Sequence, residues 1–386
     1  VGFMLIGGRH WTGGYNYLLN LVQQIDRFVP DRIRPVLFFG DDLDHEDVAP
    51  FERIESAEVV ISPLVNAARR RSSLMRCLLS GRDPALVSLF GACRIDVAFE
   101  NAQFLGWRWR IPTIAWIPDF QHLCLPHLFT RRSFWQRELG FQAQVRSGRL
   151  IMLSSEDALQ MCEAHYPGSR GRTEVARFAI WPPARPSLAD SLAVAAKYGL
   201  TSPYVFMPNQ FWKHKNHRLV IEALSLLKAR GHRVMVAASG RQLDTRDAAY
   251  FPSIESLVKE RGVSDEFRLL GMLPYADLAP LMRASVALLN PSLFEGWSTT
   301  VEEARALGVP MLLSDLDVHK EQAGAQAMYF DRCDAGALAD ALMALPQAPL
   351  PDDALQEAAV SEVAKARSKA FAQRFAEVAE RAAAMG

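Results

Sequence analysis

Short apolar runs closed by glycine, proline, asparagine or serine recur along the chain, separated by longer stretches with helical periodicity. In the first half "VGFMLIGG", "IRPVLFF", "AEVVIS", "IDVAFE", "IPTIAWI" and "RLIMLSS" read as buried strands. "GGYNYLLNLVQQI" reads as a helix starting near Gly13-Gly14, and Ser154-Ser155-Glu156-Asp157 as the cap of another. Strands that alternate with helices predict parallel sheets flanked by helices.

"FAIWPPARPSLADS" interrupts this rhythm with Pro182, Pro183 and Pro186, which stop helices and stiffen a connection. Beyond it the alternation restarts with "YVFMPNQ", "RVMVAASG", "FRLLGML", "ASVALLN" and "VPMLLSD". Leu219, Val220, Ala223, Leu224 and Leu227 mark one face of a helix that ends at Gly231. The tail, "LQEAAVSEVAKARSKAFAQRFAEVAERAAA", is rich in helix formers. It reads either as a surface helix closing the second half or as a last helix crossing back onto the first. The expected division is residues 1–183, 184–370 and a C-terminal helix at 371–386.

Composition narrows the function classes. A chain of 386 residues is long for one domain and comfortable for two. Lys+Arg and Asp+Glu both number 43, so the zero net charge gives no bulk pull toward nucleic acid. The five cysteines are scattered and odd in number, with no C-x-x-C pair, which predicts a reducing compartment and no structural zinc. There is no HExxH, and His214 and His217 have Lys213 and Lys215 beside them, poor company for a metal. No run of 18 apolar residues predicts a membrane span. The chain starts at Val1 inside an apparent strand, so residues upstream or a short targeting segment are expected to be missing.

The stretch "NPSLFEGWSTTVEEARALGVP", residues 290–310, carries the candidate chemistry. Eight steps of about 100° would set Glu295 and Glu303 roughly 80° apart on one helix, so Glu295 is assigned to the turn and Glu303 to the helix. Thr299 with Glu302, or Thr300 with Glu303, offers a capping box, and Gly308 with Pro310 a stop, giving a helix at about 299–307. A strand, a tight turn and a free helix N-terminus make an anion site, because unpaired amides and the macrodipole both favour a phosphate there. The plainer alternative is a strand-turn-helix with two surface glutamates.

"PSLFEGWSTTVEEARALGVPMLLSD" resembles the Glu-x7-Glu signature of retaining glycosyltransferases of the GT-B fold, family 4 (group 1) type. The resemblance runs from "FRLLGMLPYADLAPLMRASVALL" to "HKEQAGAQAMYFD", about 130 residues, and reaches the remainder loosely through element order. It implies two Rossmann-like domains facing across a cleft, the second holding a nucleotide sugar. It further implies that Glu295 touches the donor sugar and Glu303 the ribose hydroxyls. Amides around Trp297, Ser298, Thr299 and Thr300 would hold the diphosphate or the sugar, and Gly271-Met272 would meet the base.

"MPNQFWKHKNHRLVIEAL" resembles the family segment whose arginine and lysine neutralise the leaving diphosphate. Lys215 falls on the lysine; Asn209 stands where the arginine is expected, and Lys213 is a candidate for the missing charge. Gly13-Gly14 resembles the family's glycine-rich turn. Where the family has His-Asp, this chain has Pro118-Asp119 with His122 three residues on, so either Asp119 or His122 is the candidate to face the anomeric carbon.

The implied reaction is transfer with retention, driven by positioning and electrostatics, without a separate cofactor or metal and with a UDP- or GDP-sugar as donor. The acceptor would be a glycan or lipid-linked saccharide in cell-surface polysaccharide or lipopolysaccharide biosynthesis. The expected location is the cytoplasm, with peripheral contact at the inner face of the membrane. "NAARRRSSLMRCLLSGR", with Arg69, Arg70, Arg71, Arg76 and Arg82, fits either an anionic membrane or a solvated basic helix. Trp107, Trp109, Trp116 and Phe120 are candidates for stacking on sugar rings or for core. The alternatives in function are a GT-B-fold sugar-nucleotide epimerase and a non-catalytic nucleotide-binding relative.

Overall fold

The computed structural model describes residues 1–5, 12–101, 104–244 and 246–386. The chain forms two compact units, each a parallel α/β sheet with helices packed on it. Unit 1 comprises Val1–Phe120, Arg132–Trp181 and Ala366–Gly386; unit 2 comprises Gln121–Arg131 and Pro182–Lys365.

In unit 1 the strands are β1 (Gly2–Leu5), β2 (Val36–Phe39), β3 (Glu58–Ile61), β4 (Ala98–Glu100), β5 (Thr113–Trp116), β6 (Leu150–Leu153) and β7 (Thr173–Val175). Their order is β3-β2-β1-β4-β5-β6-β7, all parallel. Unit 2 has β8 (Tyr204–Met207), β9 (Met235–Ser239), β10 (Phe267–Gly271), β11 (Ala287–Asn290), β12 (Met311–Ser314) and β13 (Ala327–Phe330) in the order β10-β9-β8-β11-β12-β13. Chain order reverses between β1 and β4 in one sheet and between β8 and β11 in the other. In open sheets such a reversal leaves a crevice beyond the carboxyl ends of the strands, where ligands bind.

Four-residue strands that are buried throughout need continuous apolar runs, which is why the central strands are legible in sequence. β7 and β13 are not: "TEV" is short with two polar positions, and "AMYF" is short and only partly buried. The helix His217–Ala229 buries the predicted face of Leu219, Val220, Ala223, Leu224 and Leu227. Ser155 caps Glu156–His165 by accepting the Ala158 amide at 3.0 Å.

The tail is one helix, Ala354–Ala384, whose residues from Ala366 onward belong to unit 1. There Phe375 stacks on Phe3 at 5.9 Å and meets Phe99 edge-on, while Phe371 meets Phe178 edge-on at 5.7 Å. Each ring buried this way contributes on the order of 1.5–3 kcal/mol. Arg374 and Arg381 both pair with Glu174 of β7, and Arg32 forks onto Glu380. Of the four aromatic residues considered for sugar stacking, Trp109, Trp116 and Phe120 are core; Trp107 is exposed.

Candidate functional site

Two loops of unit 2 leave neighbouring strands at the chain reversal and are braced against each other. The loop after β8 runs through a 3-10 turn, Lys213–Lys215, to Asn216, which is left-handed (φ 58°, ψ 37°) and starts the next helix. Asn216 donates to the Pro291 and Arg332 carbonyls at 3.2 and 3.0 Å, and the Leu293 amide donates to the His214 carbonyl at 2.8 Å. The loop after β11 begins at buried Asn290. Its Oδ1 accepts the Ser292 backbone amide at 3.3 Å and the Asn209 side-chain amide at 3.4 Å, and its Nδ2 donates to Ser298 Oγ at 2.9 Å.

This brace brings Lys215 and Glu295 together across 80 residues of sequence. Lys215 Nζ donates to Glu295 Oε1 at 2.6 Å, and the Ser292 hydroxyl donates to the same oxygen at 2.6 Å. Burial alone would push the Glu295 carboxyl up, yet the Lys215 ammonium holds it down at about 2. The site therefore contains a buried, ionised carboxylate matched by one ammonium.

Glu295 does lie in the turn, and the helix is Thr299–Leu307, ending at left-handed Gly308. Its start is built differently from the expected capping box. Ser298 is the N-cap residue and its side chain caps no amide; its hydroxyl is held by Asn290 and lies 3.1 Å from Thr300 Oγ1. Glu302, the proposed box partner, is buried and accepts from Arg305 at 2.7 Å and Gln322 at 3.0 Å. Gln322 replaces the box: it donates to the Ser298 carbonyl at 2.7 Å and accepts the Ser298 amide at 3.3 Å. The helix start is thus clamped from β12's side of the sheet, and the side chain of its N-cap residue, Ser298, bonds none of the first-turn amides. That arrangement suits an anion.

Glu303, one turn in, is half-buried, and among the described residues no hydrogen bond or ion pair reaches it. Burial, uncompensated by any partner, pushes its carboxyl up to about 7. The Tyr275 phenol is raised by burial first and by the Glu303 carboxylate second. Gly271 ends β10 with φ 69° and is followed by exposed Met272.

The remaining candidates are more dispersed. Lys213 is exposed, with its ammonium 3.7 Å from Asp247. Asn209 is buried and holds Asn290, so the neutral residue at that position is a framework group here. Asp119 belongs to unit 1, where Arg137 donates to it at 2.7 Å. His122 is buried on the short helix Gln121–Cys124, in the segment grouped with unit 2. Gly13 and Gly14 lie within the first turn of the helix Thr12–Phe28, so the glycine pair is helical and does not form the turn after β1; residues 6–11 lie outside the described residues. His127 is exposed. Among the described residues no three His, Cys, Asp or Glu side chains group as a metal site.

Sequence reading missed Asn290, Ser292, Asn216, Gln322 and His319. His319 is buried, with Nδ1 3.1 Å from the Ser314 carbonyl; since a carbonyl only accepts, Nδ1 carries the proton. The single signal for these residues was polarity next to strand ends, which does not say which groups meet.

Residues 195–361 match the family described as Glycosyl transferases group 1. O-antigen chain mannosyltransferase B of Escherichia coli is 27% identical over 214 residues, which are 55% of this chain and 52% of that protein. The chain thus spans about half the length of this curated relative, and less of two others. The fold is shared along nearly the whole chain with Anabaena Alr3699/HepE, solved in complex with UDP and glucose: TM-score 0.68, 16% identity, covering 97% of this chain and 98% of that one. WaaG, a glycosyltransferase involved in lipopolysaccharide biosynthesis, aligns with TM-score 0.56 and 14% identity, covering 100% and 98%.

Proposed function

We propose that this chain, whose residues 195–361 belong to the glycosyl transferases group 1, moves a sugar from a nucleotide-sugar donor to a glycan or lipid-linked saccharide with retention of configuration. The observation that carries the reading is the meeting of Lys215 and Glu295 at the chain reversal of the second sheet, beside an uncapped helix start and one turn from Glu303. The relative named for O-antigen and the fold neighbour named for lipopolysaccharide support a role in cell-surface polysaccharide assembly.

On this reading the diphosphate lies over the helix start at Thr299 and Thr300 and draws Lys215 from Glu295. The freed carboxylate accepts sugar hydroxyls, and Glu303 accepts the ribose hydroxyls. Lys215 then stabilises the charge that grows on the departing diphosphate. The acceptor hydroxyl enters on the face the diphosphate leaves. No bond to the protein forms, and the residues act by position and field.

The test is calorimetric titration with UDP-, GDP-, ADP- and TDP-sugars. One nucleotide is expected to bind, and Glu303→Ala to weaken it. The Glu303 carboxyl lies above its ordinary 4.5, so it is protonated below about pH 7. Binding through the carboxylate must therefore strengthen as pH rises, by about tenfold from pH 6 to pH 8, and Glu303→Gln must flatten the profile. Binding by none of the donors, or a profile unchanged by Glu303→Gln, sinks the assignment. Turnover of the donor without an acceptor would favour the epimerase, and binding without turnover the non-catalytic relative.

We place the acceptor end of this reaction at an anionic membrane, on the cytoplasmic side. The helix Arg70–Leu79 exposes Met75, Leu78 and Leu79 together with Arg70, Arg71 and Arg76. Such a face matches anionic headgroups in charge and the acyl boundary in polarity. No helix among the described residues is long and apolar enough to cross a membrane. In a flotation assay the protein is expected to rise with phosphatidylserine vesicles and stay down with phosphatidylcholine. Arg70→Ala with Arg71→Ala should weaken capture roughly tenfold. Equal capture by both lipids overturns the placement.

A further inference from the structure

We propose that Arg246 is the positioning residue that fastens the helix bearing His122 to the loop bearing Lys215. Three segments of unit 2, far apart in sequence, meet on its guanidinium. Asp244, itself buried, accepts the Arg246 amide at 2.9 Å and also accepts from Nε at 3.1 Å. Nη1 is thereby left to donate to Gln121 Oε1 at 3.0 Å. One flank of the guanidinium is Trp212, whose ring centroid lies 5.3 Å from Cζ; Phe129 lies 5.7 Å away.

Each of these partners leads to a site residue. Gln121 opens the helix Gln121–Cys124, and Phe129 meets the His122 ring edge-on at 6.3 Å. The Trp212 carbonyl accepts the Lys215 amide at 2.8 Å, and its ring lies 5.7 Å from that of His214. The His214 imidazole is held neutral by burial first, then by Lys215, with Arg246 adding to the same effect, so the guanidinium's field reaches the site. A planar fork can serve a carboxylate and an amide at once while its faces lie against rings; an ammonium cannot.

The geometric part of this inference stands without the transferase reading; its kinetic part rests on it. The experiment compares wild type, Arg246→Ala, Arg246→Lys and Gln121→Ala by hydrogen exchange over residues 121–131, nucleotide titration and steady-state rates. Arg246→Ala is expected to speed exchange in that segment about tenfold, because a charged hydrogen bond and two ring contacts are lost. It should leave nucleotide affinity within about twofold and lower kcat by about tenfold at unchanged donor KM. Gln121→Ala should reproduce a share of both effects and add little to Arg246→Ala. Arg246→Lys should recover less than half. Unchanged exchange at 121–131 in folded Arg246→Ala, or in Gln121→Ala should the first variant not fold, overturns the proposal. If wild type turns over no nucleotide sugar, the transferase reading fails while the exchange data still decide whether the clamp exists.

Discussion

Lys215→Ala lowers kcat by about 10²- to 10³-fold, the loss that follows removal of one preorganised group facing growing negative charge. It also exposes a second, separable defect. Glu295 is buried with Lys215 as its paired cation, and breaking a buried pair from one side costs about 3–5 kcal/mol, because the remaining charge is left uncompensated. The pH dependence gives the sign. Glu295 sits below its ordinary 4.5, so it contributes stability above pH 4.5 that is lost as pH falls toward about 2. In the variant, burial is opposed mainly by the Ser292 hydroxyl, so the acid limb of the stability profile moves to higher pH. Thermal melts between pH 3 and pH 8 measure that limb. The double variant Lys215→Ala, Glu295→Gln should recover most of the stability and none of the turnover. A single variant that keeps wild-type kcat removes Lys215 from the chemistry.

Gly240→Ala is expected to abolish nucleotide binding without touching a binding residue. Gly240 has φ 148°, a conformation that residues with a Cβ rarely adopt. A Cβ there would stand 2.5 Å from the Asn209 carbonyl oxygen and 2.8 Å from its carbon, both backbone atoms with no rotamer to yield. The loop after β8 must shift, and with it Asn209's hold on Asn290 and the placement of Lys215. Strain of this kind amounts to roughly 1–3 kcal/mol before the displaced contacts are counted. Calorimetry on folded Gly240→Ala decides: wild-type affinity would mean that the two loops are not coupled through this contact.

The fold was readable in the sequence wherever burial forces apolar runs, as at β1, β4, β8 and β11. It was not read at β7, where "TEV" has two polar positions, or at β13, a single short run; edge position alone is not the reason, since the edge strands β3 and β10 were read. The site was partly readable for a different reason. Spacing against the helical period assigned Glu295 to the turn, Glu303 to the helix and Gly308 to its stop, while their roles in a site came only from the family resemblance. The capping box did not form because Gln322, 20 residues on, and Arg305, one turn on, claim Glu302, while Asn290 and Gln322 hold Ser298. Local propensity ranks such contacts equally; tertiary partners decide between them. Arg246 gave no signal at all, since its partner Gln121 lies 125 residues away in a segment that interrupts the other unit.

The contact between Lys215 and Glu295 also bears on how the cycle ends. On the proposed reading Glu295 is the internal counterion of Lys215, so an arriving diphosphate would gain the ammonium only by displacing a carboxylate. Affinity for the nucleotide is then the difference of two pairings, and it stays moderate even though the cation is well buried. When the sugar has gone, the same carboxylate is waiting 2.6 Å from the place Lys215 returns to, and recapture favours departure of the spent nucleotide. If the proposed reaction holds, the anion that receives the sugar's hydroxyls would also eject the leaving group, and product release would need no competing ion from solution.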